Sequence, residues 1–349
     1  MLLKFSLYGK SERDSNVIDV PLNNLFRINR FLDRRHKLSN AKITFDKGEI
    51  NFADIILREL VNFISEGGYV ILDNVNDGVF KSKSNLAMVL KYYSVISCSN
   101  EKVKLLKNGK YTPTKISEWT FGIITNGSRE EYIKKIISSI HKQNIPKFEV
   151  IICGNVKSFC DLEDDNINFI EFKENDHKGW ITRKKNLIVE SSKFENICIL
   201  HDRYVLDDRW YEGFIEYGGD FDVLSLPQKF QNKWLPYWVE NKAELRNTYD
   251  VNYIKEDSEW SRDIYLPGGV NIFKSHLIKA TPYNENLFWN EKEDIELSRR
   301  QVINGYQIRL NQHSSLTALF SHWSHPTKLG LLIRRFRQRI YEMMFFQKK

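Results

Sequence analysis

Thr120-Phe121-Gly122-Ile123-Ile124-Thr125-Asn126-Gly127-Ser128 reads as a buried strand running into a polar turn. From Arg129 to His141 the period changes, and Tyr132, Ile133, Ile136, Ile137 and Ile140 fall on one helical face. Pro146 ends that pattern, and Phe148-Glu149-Val150-Ile151-Ile152-Cys153-Gly154 is a second buried strand. Ile167 to Phe172 is a third, a helix follows from about Ile181 to Ser192, and Ile197-Cys198-Ile199-Leu200 is a fourth strand. Strands alternating with helices predict an α/β fold with a mainly parallel sheet covered on both faces. Such sheets bind ligands beyond the carboxyl ends of their strands. That rule singles out Thr125–Ser128, Gly154-Asn155 and His201-Asp202-Arg203.

The composition fits a folded protein. The 349 residues suffice for one large domain or two ordinary ones, and 42% hydrophobic with 28% charged residues excludes a disordered chain. The four cysteines, Cys98, Cys153, Cys160 and Cys198, lack C-x-x-C spacing, which argues against a zinc site or a disulfide framework. The N-terminal residues are too short in apolar length for a signal peptide, and no long apolar run spans a bilayer. A cytoplasmic location is expected. The formal charge is +7, and nearly all of it lies from Lys328 onward, where seven Lys or Arg face one acid, Glu342. A nucleic-acid binder usually carries its charge on the folded body, so that class is not expected.

Three regions follow. Residues 1–115 hold plausible helices near Asn23–Leu32 and Phe52–Ser65, then the turn Glu66-Gly67-Gly68 and the strand Tyr69–Leu72, and they carry no assigned chemistry. Residues 107–114 read as a linker into the α/β domain of residues 116–327. In residues 328–349, Leu329, Leu332, Ile333, Phe336, Ile340 and Met343 recur at helical spacing, with Arg334, Arg335, Arg337 and Arg339 on the remaining surface. A basic amphipathic helix of this kind binds a membrane surface or a partner, or folds back on its own domain.

Five segments carry candidate chemistry. Lys178-Gly179-Trp180-Ile181-Thr182-Arg183-Lys184-Lys185-Asn186 places basic groups at a helix start, suited to a diphosphate or to a solvated turn. His201-Asp202-Arg203 ends the fourth strand. Trp289-Asn290-Glu291-Lys292-Glu293-Asp294 opens a helix with paired acids, which serve proton transfer or complement the helix dipole. Gly268-Gly269 precedes an apolar strand and fits a site lining or a tight turn. Trp234, Tyr237 and Trp238 offer rings that stack on sugars or fill a core.

The order and spacing of these segments resemble glycosyltransferase family 2 and its GT-A relatives, over about residues 119–325. The resemblance implies a GT-A-like (Rossmann-like) fold and a glycosyltransferase, inverting in mechanism, that works in cell-surface polysaccharide synthesis. It also implies a nucleotide-sugar donor, a UDP-sugar first, and a glycan or lipid-linked acceptor at the inner membrane face. By resemblance Asp294 is the catalytic base and Glu293 orients the acceptor. Thr125, Asn126, Gly127, Gly154, Lys178, Arg183, Lys185, Asp202 and Arg203 bind the donor, and Gly268, Gly269, Trp234 and Trp289 line the sugar or acceptor. Family members carry Asp-x-Asp where this chain has His201-Asp202-Arg203, and that pair holds a divalent metal, Mn²⁺ or Mg²⁺. Two alternatives stay open here. Arg203 supplies the charge itself, or His201 and Asp202 hold the metal with a later histidine such as His322. The broken motif also admits an inactive sugar-nucleotide-binding scaffold, and the α/β pattern admits a nucleotidyltransferase.

Overall fold

The computed structural model describes residues 2–8, 15–21, 38–44, 57, 60, 61, 64–75, 92–99, 101–108, 115–159, 162, 164–241, 251–253, 263–304 and 306–321. The expected helix near Asn23–Leu32, most of the linker and the basic segment 328–349 lie outside them.

The N-terminal region forms a six-stranded sheet from β1 (Leu2–Tyr8), β2 (Ser15–Pro21), β3 (Leu38–Thr44), β4 (Ile64–Asp73), β5 (Tyr93–Cys98) and β6 (Lys102–Lys107), in the order β2-β1-β3-β4-β6-β5. Only β3 and β4 pair in parallel. The expected turn at Glu66-Gly67-Gly68 is a correction: these residues lie inside β4, and Ser65 is strand rather than helix. Between Leu38 and Asn40 the β3 register jumps from Ile64 to Tyr69, so β4 bulges there, with Gly67 at φ 74°.

The second region follows the expected alternation. Its first part contains β7 (Glu118–Thr125), α1 (Glu130–His141), β8 (Lys147–Gly154), β9 (Ile167–Glu171), α2 (Ile181–Ser191) and β10 (Asn196–His201). Next come β11 (Tyr204–Leu206), α3 (Trp210–Tyr217), β12 (Val223–Ser225), β13 (Gln228–Phe230), β14 (Lys233–Trp234), β15 (Val239–Asn241), β16 (Val251–Tyr253) and β17 (Ile264–Tyr265). The last elements are β18 (Val270–Lys274), α4 (Ser275–Ala280), α5 (Glu293–Ile303), β19 (Ile308–Leu310) and β20 (Leu316–Ala318). Seven strands make the main sheet in the order β19-β12-β18-β10-β7-β8-β9, and β18 alone runs against its neighbours. This is the mainly parallel α/β sheet, with helices on both faces, that the sequence predicts.

Side-chain alternation explains why both faces are covered. Phe121, Ile123, Val150, Ile152, Cys198 and Leu200 join one apolar cluster with α1 and α3. Ile124, Ile151, Cys153, Ile197 and Ile199 join a second with α2, α4 and α5. Strands buried on both faces need no polar positions, which is why they read as unbroken apolar runs. The second cluster also takes in Ala41, Ile43, Val70, Leu72, Val103 and Leu105 of the N-terminal sheet.

The first cluster centres on Trp119, whose ring lies edge-on to Trp210 at 4.9 Å and to Phe214 at 4.7 Å. Its indole N–H donates to the Ile116 carbonyl at 2.7 Å, so burial leaves the polar group of this ring matched. Replacing Trp119 with Ala is expected to lower unfolding free energy by about 3–5 kcal/mol, because the surrounding rings of Phe121, Trp210 and Phe214 are held by two elements, β7 and α3, and close poorly over the void. Urea denaturation checks it, and a loss below about 1 kcal/mol would contradict this account of the core.

Candidate functional site

Parallel pairing brings three strand ends to one edge. Thr125 of β7 stands beside Gly154 of β8, and His201 of β10 stands beside Ile124. Gly154 has φ 144°, and a Cβ there would sit 1.9 Å from the Thr125 carbonyl oxygen, so only glycine lets these ends approach. Beyond this edge opens a cleft of about 270 Å³. Its walls are Ile124, Thr125, Asn126, Arg129, Asp176, Gly179, Ile181, Lys184, His201, Asp202, Arg203 and Trp289.

Asp202 is 6% exposed, and its carboxylate has a partner on each oxygen. The Thr125 hydroxyl donates to Oδ2 at 2.9 Å, and the Arg129 guanidinium meets Oδ1 at 2.6 Å. Lys184 reaches the same corner from α2, donating to the Thr125 carbonyl at 2.8 Å and pairing with Asp176. Burial, followed by the charges of Lys185, Arg203 and Arg129, holds the His201 imidazole well below its usual pKa, so it is neutral. Its Nε2 is buried without a hydrogen-bond partner, as is Nε of Arg203. The Arg203 guanidinium stands 5.3 Å from the Tyr204 ring centre.

A second polar cluster lies behind Gly268-Gly269. The Lys185 side chain is fully buried. Its ammonium donates to the Gly268 carbonyl at 2.9 Å and to Asn271 at 3.3 Å, and stands 3.7 Å from Glu293. On the other side, the Gly268 N–H donates to Asp294 Oδ2 at 3.1 Å, and the Ile295 N–H donates to Oδ1 at 2.8 Å. Burial and the neighbouring Glu293 push the Asp294 carboxyl up to about 6, against the pull of those N–H groups and Lys185. Burial lowers the Lys185 pKa in turn, opposed by Glu293 and Asp294. The two clusters meet through the backbone, since the His201 N–H donates to the Gly269 carbonyl at 2.9 Å.

The remaining wall comes from the loop before α5. Gly179 lies at φ 68°, and a Cβ there would meet the Trp289 Cβ at 2.8 Å. The Trp289 N–H donates to the Gly179 carbonyl at 2.9 Å, which seats this 62% exposed ring on the cleft rim. Asn186 and Thr182 of α2 hold the same loop, through Tyr283 and Leu287.

Of the residues expected from sequence, Thr125, Asn126, His201, Asp202, Arg203 and Trp289 share the cleft. Gly127 sits just behind it, donating its N–H to the Thr125 hydroxyl at 3.0 Å. Glu293, Asp294, Lys185, Gly268 and Gly269 form the adjoining cluster. Arg183 instead pairs with Glu190 and Glu285, Lys178 approaches the Phe288 ring at 5.7 Å, and Trp234 is 54% exposed against Tyr237. These three are not in the cleft wall. His322 lies outside the described residues. Sequence reasoning missed Arg129, Asp176, Gly179 as a seat, and Lys184. The spacing Ile181, Lys184, Ile188 marks Lys184 as sheet-facing, and Arg129 directly follows the first strand's turn.

The donor set does not fit a divalent metal. Among the described residues no three His, Cys, Asp or Glu side chains are grouped to hold one. Asp202 already has both oxygens engaged, and Arg129, Lys184 and Arg203 share its cleft. Hard dications take several oxygen ligands and a surplus of negative charge.

No family model matches the sequence, and no curated protein matches it. Solved structures do. Residues 1–349 of S. aureus TarS match at 16% identity, over 58% of this chain and 60% of that one, with a TM-score of 0.40. The same protein in complex with UDP-GlcNAc matches at 17% identity over 63% and 65%, with a TM-score of 0.41. GalNAc-T7 with UDP, GalNAc and Mn²⁺ matches at 10% identity over 63% and 50%, with a TM-score of 0.47. These matched proteins are glycosyltransferases. This chain spans less than two thirds of each of them, and at such scores the likeness extends to no residue's role. No helix of the described residues is long and apolar enough to cross a membrane.

Because the Lys185 ammonium draws the Asp294 pKa down, Lys185→Met is expected to raise it above its value of about 6. A carbon-13 carboxyl titration by NMR measures this. An Asp294 pKa that stays put or falls would show that Lys185 is not coupled to it.

Proposed function

We propose that this chain is an inverting glycosyltransferase that moves a sugar from a nucleotide-sugar donor, a UDP-sugar first, to a hydroxyl of a glycan or lipid-linked acceptor. The observation that carries the reading is a cation-lined cleft at the strand ends, joined to a buried carboxylate whose pKa is raised to about 6. The cations suit a diphosphate, and the carboxylate suits a hydroxyl proton.

In the proposed reaction the donor diphosphate lies against Arg129, Lys184 and Arg203. The bond between the anomeric carbon and the diphosphate oxygen breaks, and its electron pair stays on that oxygen. Preorganised guanidinium groups stabilise this growing charge without having to move. The acceptor oxygen forms its new bond from the opposite face of the sugar, and its proton passes to Asp294. Raising a carboxyl toward neutral pH makes it a better proton acceptor while it is still ionised above about 6. Trp289, on the rim, offers a ring face to a sugar. Glu293 orients the acceptor. In this reading the basic segment 328–349 lies on the inner membrane face, where lipid-linked acceptors of cell-surface polysaccharide synthesis are found.

Transfer from a radiolabelled nucleotide-sugar panel to lipid and glycan extracts tests the reading. Asp294→Asn is expected to lower kcat by about 10²–10⁴-fold with nucleotide binding kept. For the wild type, kcat is expected to fall as pH drops through about 6, because protonated Asp294 cannot accept the proton. Undiminished transfer by Asp294→Asn would remove Asp294 as the base, and nucleotide binding without transfer would make the chain a binding protein.

A further inference from the structure

We propose that the donor site works without a divalent metal, with the Arg129–Asp202 ion pair and Arg203 standing where a metal would otherwise meet the diphosphate. This rests on the glycosyltransferase reading and assigns the chemistry of its leaving-group subsite.

A metal at the end of β10 needs an Asp202 oxygen. Both are occupied, Oδ2 by the Thr125 hydroxyl and Oδ1 by Arg129 at 2.6 Å. Arg129 is fixed in that position by the polypeptide itself, since it immediately precedes α1 and its guanidinium also lies 5.4 Å from the Phe320 ring centre. A dication entering here must displace a guanidinium that is already paired with the carboxylate.

The charge of the wall argues the same way. Arg129, Lys184 and Arg203 face the cleft with two carboxylates, Asp176 and Asp202. The lining carries a net charge of +1 (three cations less two anions). A dication next to it meets repulsion, whereas a diphosphate meets attraction. Asp176 and Asp202 are each held by one of these cations, Lys184 and Arg129 respectively. Arg203 has no carboxylate in that role, and its buried Nε lacks a hydrogen-bond partner. A diphosphate bound in the cleft that Arg203 lines supplies the counter-charge this guanidinium lacks. Guanidinium suits this because its donors are rigid, planar and always charged. When the donor bond breaks, the electron pair left on the diphosphate oxygen is taken up by charge already in place.

The test is isothermal titration of UDP, GDP and CMP into the full chain, once with excess EDTA and once with excess Mn²⁺, followed by the same titrations with Arg203→Met and Arg129→Met. The expected result is that one nucleotide binds the wild type with affinities that differ by less than about twofold between the two conditions. Arg203→Met is expected to weaken it by about 10–100-fold in both. With Arg129→Met the freed Asp202 makes binding weaker in EDTA and stronger with Mn²⁺, a metal dependence the wild type lacks. Wild-type binding that vanishes in EDTA and returns with Mn²⁺ would overturn the metal-free site and leave the glycosyltransferase reading standing. No binding of any nucleotide in either condition would overturn both. The wild-type comparison decides the matter even where a variant does not fold.

Discussion

The fully buried ammonium of Lys185 is the constraint on which the site depends. A charge so far from water persists only when its protons are matched, and here the Gly268 carbonyl, the Asn271 amide oxygen and the nearby Glu293 do so. Each partner belongs to a different element: the turn before β18, β18 itself and the start of α5. One side chain from α2 therefore fixes where the reversed strand begins and where the acidic helix begins. Asp294 closes the arrangement by accepting the Gly268 N–H, so both backbone groups of one glycine are held from opposite sides. Asn271 is drawn in further by the Tyr283 hydroxyl at 2.8 Å.

The two clusters divide the work. Around Asp202 the charges are paired, partly open to the cleft and aimed beyond the strand ends. Around Asp294 they are buried, and burial changes how strongly a carboxyl holds its proton. The antiparallel ladder of β10 and β18, extended by the His201 N–H to the Gly269 carbonyl, fixes the spacing between them. In the proposed reaction that spacing sets the distance between the leaving diphosphate and the proton acceptor. Catalysis by positioning is sensitive to changes of this size.

Much of this was legible in the residues alone. Unbroken apolar runs at Phe121–Ile124, Val150–Cys153 and Ile197–Leu200, short and bounded by turns, read as strands buried on both faces, and the end of each pointed to the cleft. Thr125 and Asp202 followed from that rule. Arg183 and Lys185 did not fare alike, because a basic run does not say which of its members faces inward. The helix turns Lys185 to the interior and Lys184 to the cleft, while Arg183 goes to Glu190 and Glu285. Asp202's partner was equally hidden: Arg129 lies far away in sequence, and only parallel pairing of β7 with β10 brings them together. The turn at Glu66–Gly68 was misread because glycine marks a bulge as readily as a turn.

The reversed strand has a further consequence. β12 and β18 are antiparallel neighbours, so the chain leaves the sheet after Ser225 and returns to it at Val270 on the same edge, beside the cleft. Everything between, including β13 to β17, is in topological terms one long hairpin excursion. Lengthening or shortening it ahead of Gly268 and Gly269, which Lys185, Asp294 and His201 hold, breaks no ladder of the main sheet, and Arg129, Lys184, Asp202 and Arg203 all lie outside it. The fold thus keeps its charged subsite on strand ends and helix starts that this excursion does not supply, so a change in the length of the excursion leaves the cations of the cleft where they are.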